Sequence, residues 1–244
     1  YAMKKLFITG NSSGLGHGLT DAYLRRGWEV YGVSRRGCTD LQGRLHDIRC
    51  DLSDYDALPL ALENLLQGCS QLDLVILNAG VLGRIADLHE TSVEEIRQVM
   101  EINVWSNKQI PDWLLTSGLA IRQIVLISSG AAVNGNRGWG AYSLSKATLN
   151  MLGMLYAHEF CDSHITSLAP GLVDTAMQDY LCDASQADAE RFPSLQKLRA
   201  ARNTSQMPTA REAGDLIADT IPGLLDYPSG VFLDIRNMAG NRSG

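Results

Sequence analysis

A single doubly wound α/β domain spanning residues 1–244, with about seven parallel strands and helices on both faces, is the fold class that the sequence predicts. Three observations predict it. Strand-like and helix-like stretches alternate along the whole chain. A glycine-rich loop, Gly10-Asn-Ser-Ser-Gly-Leu-Gly16, sits between the first strand and the first helix. The run at 72–77, Leu-Asp-Leu-Val-Ile-Leu, is apolar almost throughout, as a central parallel strand buried on both faces should be.

Taken in order, residues 6–9 form the first strand, 19–26 a helix that Gly27 ends, and 28–33 the second strand. Residues 44–50 are the third strand, and Ser53 or Asp54 caps a helix running to about Leu66. After the 72–77 strand, Thr91 or Ser92 opens a helix with Glu94 and Glu95 in its first turn. A second helical segment covers 103–119, with Pro111 inside it placed to kink it. Residues 121–127 are the fifth strand, a helix follows Gly140, and 164–169 are the sixth strand, broken by Pro170-Gly171. From 174 to 208 the composition turns polar and Ala-rich without strand signal, which predicts a helical lid. Thr209 with Glu212 three residues on predicts a capped last helix, and 231–235 the seventh strand.

Composition narrows the function classes. The net charge is −6 with no basic block, which argues against nucleic acid as a partner. No apolar run approaches a membrane span, and the first apolar stretch runs straight into glycines, so neither a membrane anchor nor a signal peptide is expected. Tyr1 and Ala2, ahead of Met3, are set aside from fold reasoning as a leftover of expression. Cys38, Cys50, Cys69, Cys161 and Cys182 are scattered with no C-x-x-C pair. That suits reduced thiols in a cytoplasmic protein, with no metal site and no disulfide framework.

A glycine loop placed between strand and helix lets backbone approach a pyrophosphate and aims a helix N-terminus at it. Its spacing here is G-x-x-x-G-x-G. At the end of the second strand stand Ser34, Arg35 and Arg36, where an acidic side chain would bind ribose hydroxyls and repel a 2′-phosphate. The arginines instead suit a phosphate, which points to NADP; a solvated charged turn is the plainer alternative. Tyr142 and Lys146 are four residues apart and so share one face of a helix. A cation beside a phenol favours the phenolate, which would tune Tyr142 as a proton donor and acceptor. On spacing alone they could equally be two surface residues.

Collected together, Thr9-Gly-Asn-Ser-Ser-Gly-Leu-Gly16, Asn78-Ala-Gly80, Asn103, Ser129, Tyr142-x-x-x-Lys146 and Pro170-Gly-Leu-Val-Asp-Thr175 resemble the motifs of the short-chain dehydrogenase/reductases, in the family's order and over nearly the whole chain. Ser129 stands thirteen positions before Tyr142, as in the family, whereas Ser128 is one out of register. The resemblance implies a Rossmann-type fold and a catalytic set of Asn103, Ser129, Tyr142 and Lys146. Tyr142 would donate a proton to the substrate oxygen and Lys146 would lower its pKa and hold the nicotinamide ribose. Ser129 would hydrogen-bond the same oxygen, and Asn103 would hold a water linking Lys146 to solvent. Ser129 as a strand-end cap and Asn103 as a helix N-cap are the structural alternatives.

For the cofactor, NADPH or NADP+, the resemblance implies Gly10, Ser12, Ser13, Gly14, Leu15 and Gly16 at the pyrophosphate, with Ser34 and Arg35 at the 2′-phosphate. It implies Asp51 and Leu52 at the adenine and Asn78 and Gly80 along the ribose. Pro170, Gly171, Val173 and Thr175 would meet the nicotinamide, with Asp174 facing the lid or solvent. The glycine pair that usually follows the last strand is replaced by Asp234-Ile-Arg-Asn-Met, which leaves the terminal packing open.

The segments around Ser129, Trp139 and Met177 further resemble the sepiapterin reductase and benzil reductase branch, whose members reduce vicinal dicarbonyls or similar bulky ketones. Trp139, Met177 and Gln178 would then touch a small carbonyl substrate, with a core or interface role open for Trp139. The helix after Gly140 is apolar on more than one side, which predicts self-association, dimer ahead of tetramer. The reading is an NADPH-dependent carbonyl reductase; an NAD(P)-dependent alcohol dehydrogenase and a non-catalytic dinucleotide-binding regulator are the alternatives.

Overall fold

In the computed structural model the described residues are 3–183 and 188–238; Tyr1, Ala2 and residues 184–187 of the expected lid lie outside them. Seven strands form the main sheet: β1 (Lys5–Thr9), β2 (Glu29–Ser34), β3 (Leu45–Arg49), β4 (Leu74–Leu77), β5 (Gln123–Ile127), β6 (His164–Ala169) and β7 (Val231–Asp234). The order is β3-β2-β1-β4-β5-β6-β7, and every pairing is parallel. The order reverses between β1 and β4, so a crevice opens there beyond the strand ends.

Side-chain alternation explains why the strands read as continuous apolar runs. On β1, Phe7 enters one core while Leu6 and Ile8 enter the other. The first core takes Leu58 and Leu62 of α2 (Leu58–Leu65), Ile110 and Leu114 of the later helix Ser106–Thr116, and Leu149 and Tyr156 of the helix Gly140–Glu159. The second takes Leu19 and Tyr23 of α1 (Gly14–Arg25) and Ile217 of the helix Ala210–Thr220. These last two helices touch backbone to backbone. A Cβ on Gly18 would lie 1.9 Å from the Ala210 carbonyl oxygen, and one on Gly214 would lie 2.3 Å from that of Gly18.

Local differences from the sequence reading have identifiable causes. The helix α1 begins inside the glycine loop, at Gly14, rather than near Leu19. The helix α2 starts only at Leu58, because the expected caps are spent in the preceding turn: Ser53 donates to Asp51 Oδ1 and Asp54 Oδ1 accepts from Ala57 N–H. The 72–77 strand breaks at Asp73, whose carboxylate accepts from the Lys5 amide at 2.8 Å; Gln71–Leu72 pairs instead with Ala120–Ile121 in a separate two-stranded ladder. Ser92 and Glu95 form the reciprocal cap of α3 (Val93–Met100), and Thr209 with Glu212 caps Ala210–Thr220. Between α3 and α4 (Ser106–Thr116) the segment Glu101–Trp105 makes one wide π-turn. The carbonyls it loosens are taken by side chains: Ser106 Oγ donates to the Ile102 oxygen at 2.6 Å and Asn107 Nδ2 to the Asn103 oxygen at 2.9 Å.

The helix α5 (Gly140–Glu159) carries exposed Leu144, Met151, Met154 and Leu155, and Trp105 and Leu115 are exposed at either end of α4. The segment 174–208, expected as a lid and named so below, contains α6 (Ala176–Cys182) and α7 (Pro193–Ala201), ahead of α8 (Ala210–Thr220). It has its own apolar cluster, in which Leu181, Phe192, Leu195 and Leu198 meet Leu82 and Ile85. Ion pairs fasten it at the rim: Arg191 donates to Asp87 and Glu90, each at 2.7 Å, and Arg137 grips Asp87 at 2.6 and 2.7 Å.

Hydrogen bonds from Arg137 and then Arg191 hold the Asp87 carboxyl well below the usual aspartate range. Its stabilising contribution is therefore complete above the ordinary aspartate pKa and is lost as pH falls through the depressed one. Asp87→Asn should raise deuterium uptake across 188–201 about two- to fivefold at pH 7 by mass spectrometry, the scale of an exposed ion-pair network. Unchanged uptake would show that the apolar cluster alone holds the lid.

Candidate active site

A cavity of about 730 Å³ runs along the crevice, from the glycine loop and the end of β2 to the lid. The loop is shaped by close approach. Gly10 has φ +71°, and a Cβ on Gly16 would fall 2.2 Å from the Gly10 carbonyl oxygen and 2.4 Å from Asn78 Nδ2. Asn78 Nδ2 donates to the carbonyls of Thr9 and Gly10 at 3.1 and 3.3 Å, and Thr9 Oγ1 accepts from the amides of Asn78 and Ala79 at 3.0 Å. These bonds fix the loop to the end of β4. The first turn of α1 carries no acid, so its free N–H groups and dipole face the cavity uncompensated.

Ser12, Ser13, Gly14, Leu15, Ser34, Arg35, Asp51, Leu52 and Gly80 all line this half. Arg36 donates to Ser13 Oγ at 2.7 Å and so closes the loop against β2. Arg35 is exposed and makes no hydrogen bond to another described residue. Hydrogen bonds from Ser53, with the Arg35 charge behind them, hold Asp51 below the usual aspartate range. Glycine backbone, a helix N-terminus and a free guanidinium form a donor set that fits a dinucleotide's phosphates.

Midway along the cavity, α5 brings Tyr142 and Lys146 to the end of β5. Lys146 is 3% exposed, and its Nζ donates to the Ile127 carbonyl at 2.7 Å. The same Nζ lies 5.7 Å from the centre of the Tyr142 ring. Burial raises the Tyr142 pKa above its ordinary value, opposed by a hydrogen bond with the Ser129 side chain. Burial also lowers that of Lys146, to about 8. Desolvation is the largest cause of the Tyr142 shift, and Lys146 is not among its causes. Ser129 Oγ also accepts from the Ala131 amide at 3.1 Å, whereas Ser128 Oγ donates to Asn150 at 2.6 Å.

Asn103, in the π-turn, is wholly buried and lies outside the cavity lining. Its Oδ1 accepts from the Val81 amide at 2.8 Å, and its Nδ2 donates to the Val81 oxygen at 2.8 Å and to Ser145 Oγ at 2.9 Å. These bonds tie the end of β4 to the helix bearing Tyr142, and both donor hydrogens are used. They are also incompatible with Asn103 as a simple helix N-cap.

Beyond β6, Pro170, Gly171, Val173 and Thr175 line the cavity, and Thr175 Cγ2 packs 3.3 Å from the place of a Gly14 Cβ. Asp174 turns to the lid: its amide donates to the Pro208 oxygen at 2.8 Å, and its carboxylate faces Arg202 at 3.4 Å. Trp139 walls the pocket, its ring 6.1 Å from that of Tyr142, and its Nε1 donates to Ser194 of the lid at 2.7 Å. Met177 and Gln178 line the same end.

Sequence reasoning missed several lining residues. Leu181, Leu198 and Lys197 belong to the lid helices, whose apolar spacing gives no address within the fold. Arg236 also lines the cavity; it pairs with Asp234 and lies beside Gly130. The departure from a terminal glycine pair was the signal available. The packing left open there is supplied by Ile235 and Met238, which enter the second core. Among the described residues His17, Cys38 and Asp40 also cluster, their nitrogen, sulfur and oxygen atoms within 4.8 Å of one another, away from the cavity lining.

Known proteins resemble this chain over most of its length. A fission yeast (Schizosaccharomyces pombe) protein described as an uncharacterized oxidoreductase is 34% identical over 200 residues, covering 77% of this chain and 78% of the relative. A benzil reductase ((S)-benzoin forming) of Bacillus subtilis is 29% identical over 239 residues, covering 92% and 94%. The crystal structure of a Saccharomyces cerevisiae short-chain dehydrogenase/reductase superposes with a TM-score of 0.82 at 25% identity, covering 95% and 96%. Neighbours of the same fold are known with NADPH and with NADH bound. The family profile described as short chain dehydrogenase matches residues 4–186. With this sheet order, glycine loop and Ser-Tyr-Lys site, the chain belongs to the short-chain dehydrogenase family, as an oxidoreductase served by a nicotinamide dinucleotide.

Proposed function

We propose that the protein is an NADPH-dependent carbonyl reductase acting on a ketone, with a vicinal dicarbonyl as the favoured class, and that Tyr142 is its proton donor. The observation that carries this is the half-buried Tyr142 phenol, which lines the cavity with Ser129 and Lys146 between the dinucleotide cradle and the lid pocket. Reduction needs a donor that still holds its proton at neutral pH, and oxidation needs the opposite. The benzil reductase relatives support the dicarbonyl class.

A reduced nicotinamide supplies the hydride. Ser129 donates its hydroxyl hydrogen to the carbonyl oxygen and holds it beside Tyr142. Tyr142 passes its proton to that oxygen as negative charge develops there. Lys146, with a pKa near 8, is a ready proton source for refilling Tyr142, and its bond to Ile127 keeps it in place. Asn103 acts by position, and a water at the second lone pair of its Oδ1 would continue the relay. The apolar lid cluster keeps bulk water from the reacting centre.

Preference for NADPH rests on Arg35, unpaired by hydrogen bonds, and on Ser34 where an acid would repel a 2′-phosphate. The exposed apolar residues of α4 and α5 support a homodimer. The free thiols suit a reducing, cytoplasmic setting.

Tyr142→Phe should lower kcat for ketone reduction about 10²-fold or more while binding NADPH nearly as before; near-normal turnover would remove Tyr142 from the mechanism. Fluorescence titration should give NADPH about tenfold tighter binding than NADH, and Arg35→Asp should abolish the difference; equal affinities in the parent would remove the role of Arg35. Sedimentation at micromolar concentration should show a dimer, and a monomer would contradict the α4/α5 interface.

A further inference from the structure

Outside the cavity, side chains of three different chemistries converge where the segment after β2 meets α1. His17 stands on the first turn of α1, and Cys38 and Asp40 lie in the segment that follows Arg35 and Arg36. His17 Nε2 lies 2.9 Å from Asp40 Oδ2, and Cys38 Sγ lies 3.7 Å from Asp40 Oδ1. A nitrogen, a sulfur and an oxygen from the three residues are all within 4.8 Å of one another. The backbone that carries Cys38 is fixed from behind. Its amide donates to Asp47 Oδ2 at 2.9 Å, while Asp47 Oδ1 accepts from Asn11 Nδ2 at 2.7 Å. Gly37, with φ +77°, makes the bend before it, and a Cβ there would lie 2.9 Å from Asp47 Oδ2. Cys38 is 5% exposed, whereas the Asp40 side chain is open to solvent. None of the three residues lines the cavity, so the proposed reduction leaves them without a role.

We infer that His17, Cys38 and Asp40 bind a zinc ion, which clips the segment after β2 to the first turn of α1. A tetrahedral zinc with nitrogen and oxygen ligands at about 2.0 Å and a thiolate at about 2.3 Å sets its ligands roughly 3.3–3.6 Å apart. The two separations from Asp40 straddle that range. The widest separation, at most 4.8 Å, closes by roughly 1–1.5 Å to reach it, a shift within reach of the partly exposed His17 side chain. Thiolate with imidazole selects zinc over magnesium or calcium, which take oxygen ligands. Water from the open side fills the fourth position. On binding, the Cys38 proton leaves to solvent and His17 ligates as the neutral imidazole. Burial, then the Asp40 charge, pushes the Cys38 thiol up to about 11, and a divalent cation offsets both. The set escapes motif reading because its members come from separate elements, α1 and the segment after β2. The zinc takes no part in hydride transfer. It holds the segment that carries Arg35 and Arg36 against α1.

The test titrates chelator-treated protein, its thiols kept reduced, with Co2+ as a spectroscopic stand-in for Zn2+. The parent should develop a thiolate-to-cobalt band in the near ultraviolet and visible bands of tetrahedral intensity, and Zn2+ should abolish both. Cys38→Ser should remove the thiolate band. Asp40→Asn, at a solvent-exposed side chain, should weaken zinc about 100-fold in competition with cobalt. With free Zn2+ a hundredfold above its dissociation constant, the parent melting temperature should rise by about 5–10 °C, and that of Asp40→Asn at the same zinc should scarcely move. A parent without the thiolate band would overturn the inference and leave the three side chains as a hydrogen-bonded set. A band that persists in Cys38→Ser would overturn it too, since the metal would then sit on another thiol. Should Cys38→Ser not fold, zinc affinity of Asp40→Asn equal to the parent's would overturn the site by itself.

Discussion

The hydrogen bond from Lys146 Nζ to the Ile127 carbonyl is the contact on which the site depends. It joins α5 to the end of β5, deep enough that the lysine is 3% exposed. An ammonium is expensive to bury, and one hydrogen bond to a neutral carbonyl does not repay that cost, so the group's pKa falls to about 8. The fold tolerates this because the surrounding sheet is over-determined. The neighbouring strands β4, β5 and β6 pair in register along their lengths, and Leu149 and Tyr156 of α5 are locked into the first core. Stability is supplied by the two apolar layers, and the strained electrostatics are confined to the strand ends.

The same division of labour sets the chemistry. Burial acts in opposite senses on the two ionisable groups of α5, pushing the phenol up and the ammonium down. Both shifts favour neutral forms, a protonated Tyr142 beside a lysine that gives up its proton readily. In the proposed binding mode a dinucleotide would bring negative phosphate to the α1 end of the cavity, which backbone N–H groups of the first turn of α1 and Arg35 line. Asn103 and Asn78 contribute differently: each ties two chain segments with its amide, so that the glycine loop, the end of β4 and α5 keep their spacing.

Much of this was legible in the sequence because it is carried by local chemistry. The reciprocal caps at Ser92/Glu95 and Thr209/Glu212 involve residues three apart, and the sixth strand, 164–169, has the boundaries read from its apolar run. The glycine loop and the Tyr142/Lys146 pair were readable since a backbone approach and a helical face leave short-range signatures. Less legible were features decided by distant partners. Asp73 breaks a strand through its bonds to Lys5, and α2 is shortened by Asp51, which draws Ser53 into a turn. The π-turn around Asn103 depends on Ser106 and Asn107 reaching back to loosened carbonyls. The direction of the Tyr142 shift depends on burial, which spacing alone does not disclose.

A crystal structure of the protein with NADP+ tests the account most directly. The account predicts the pyrophosphate on the Gly10–Gly16 loop, the 2′-phosphate against Arg35, and the nicotinamide end facing the Tyr142 hydroxyl with its ribose on Lys146. A dinucleotide bound elsewhere, or one whose nicotinamide lies away from Tyr142 and Lys146, would contradict it.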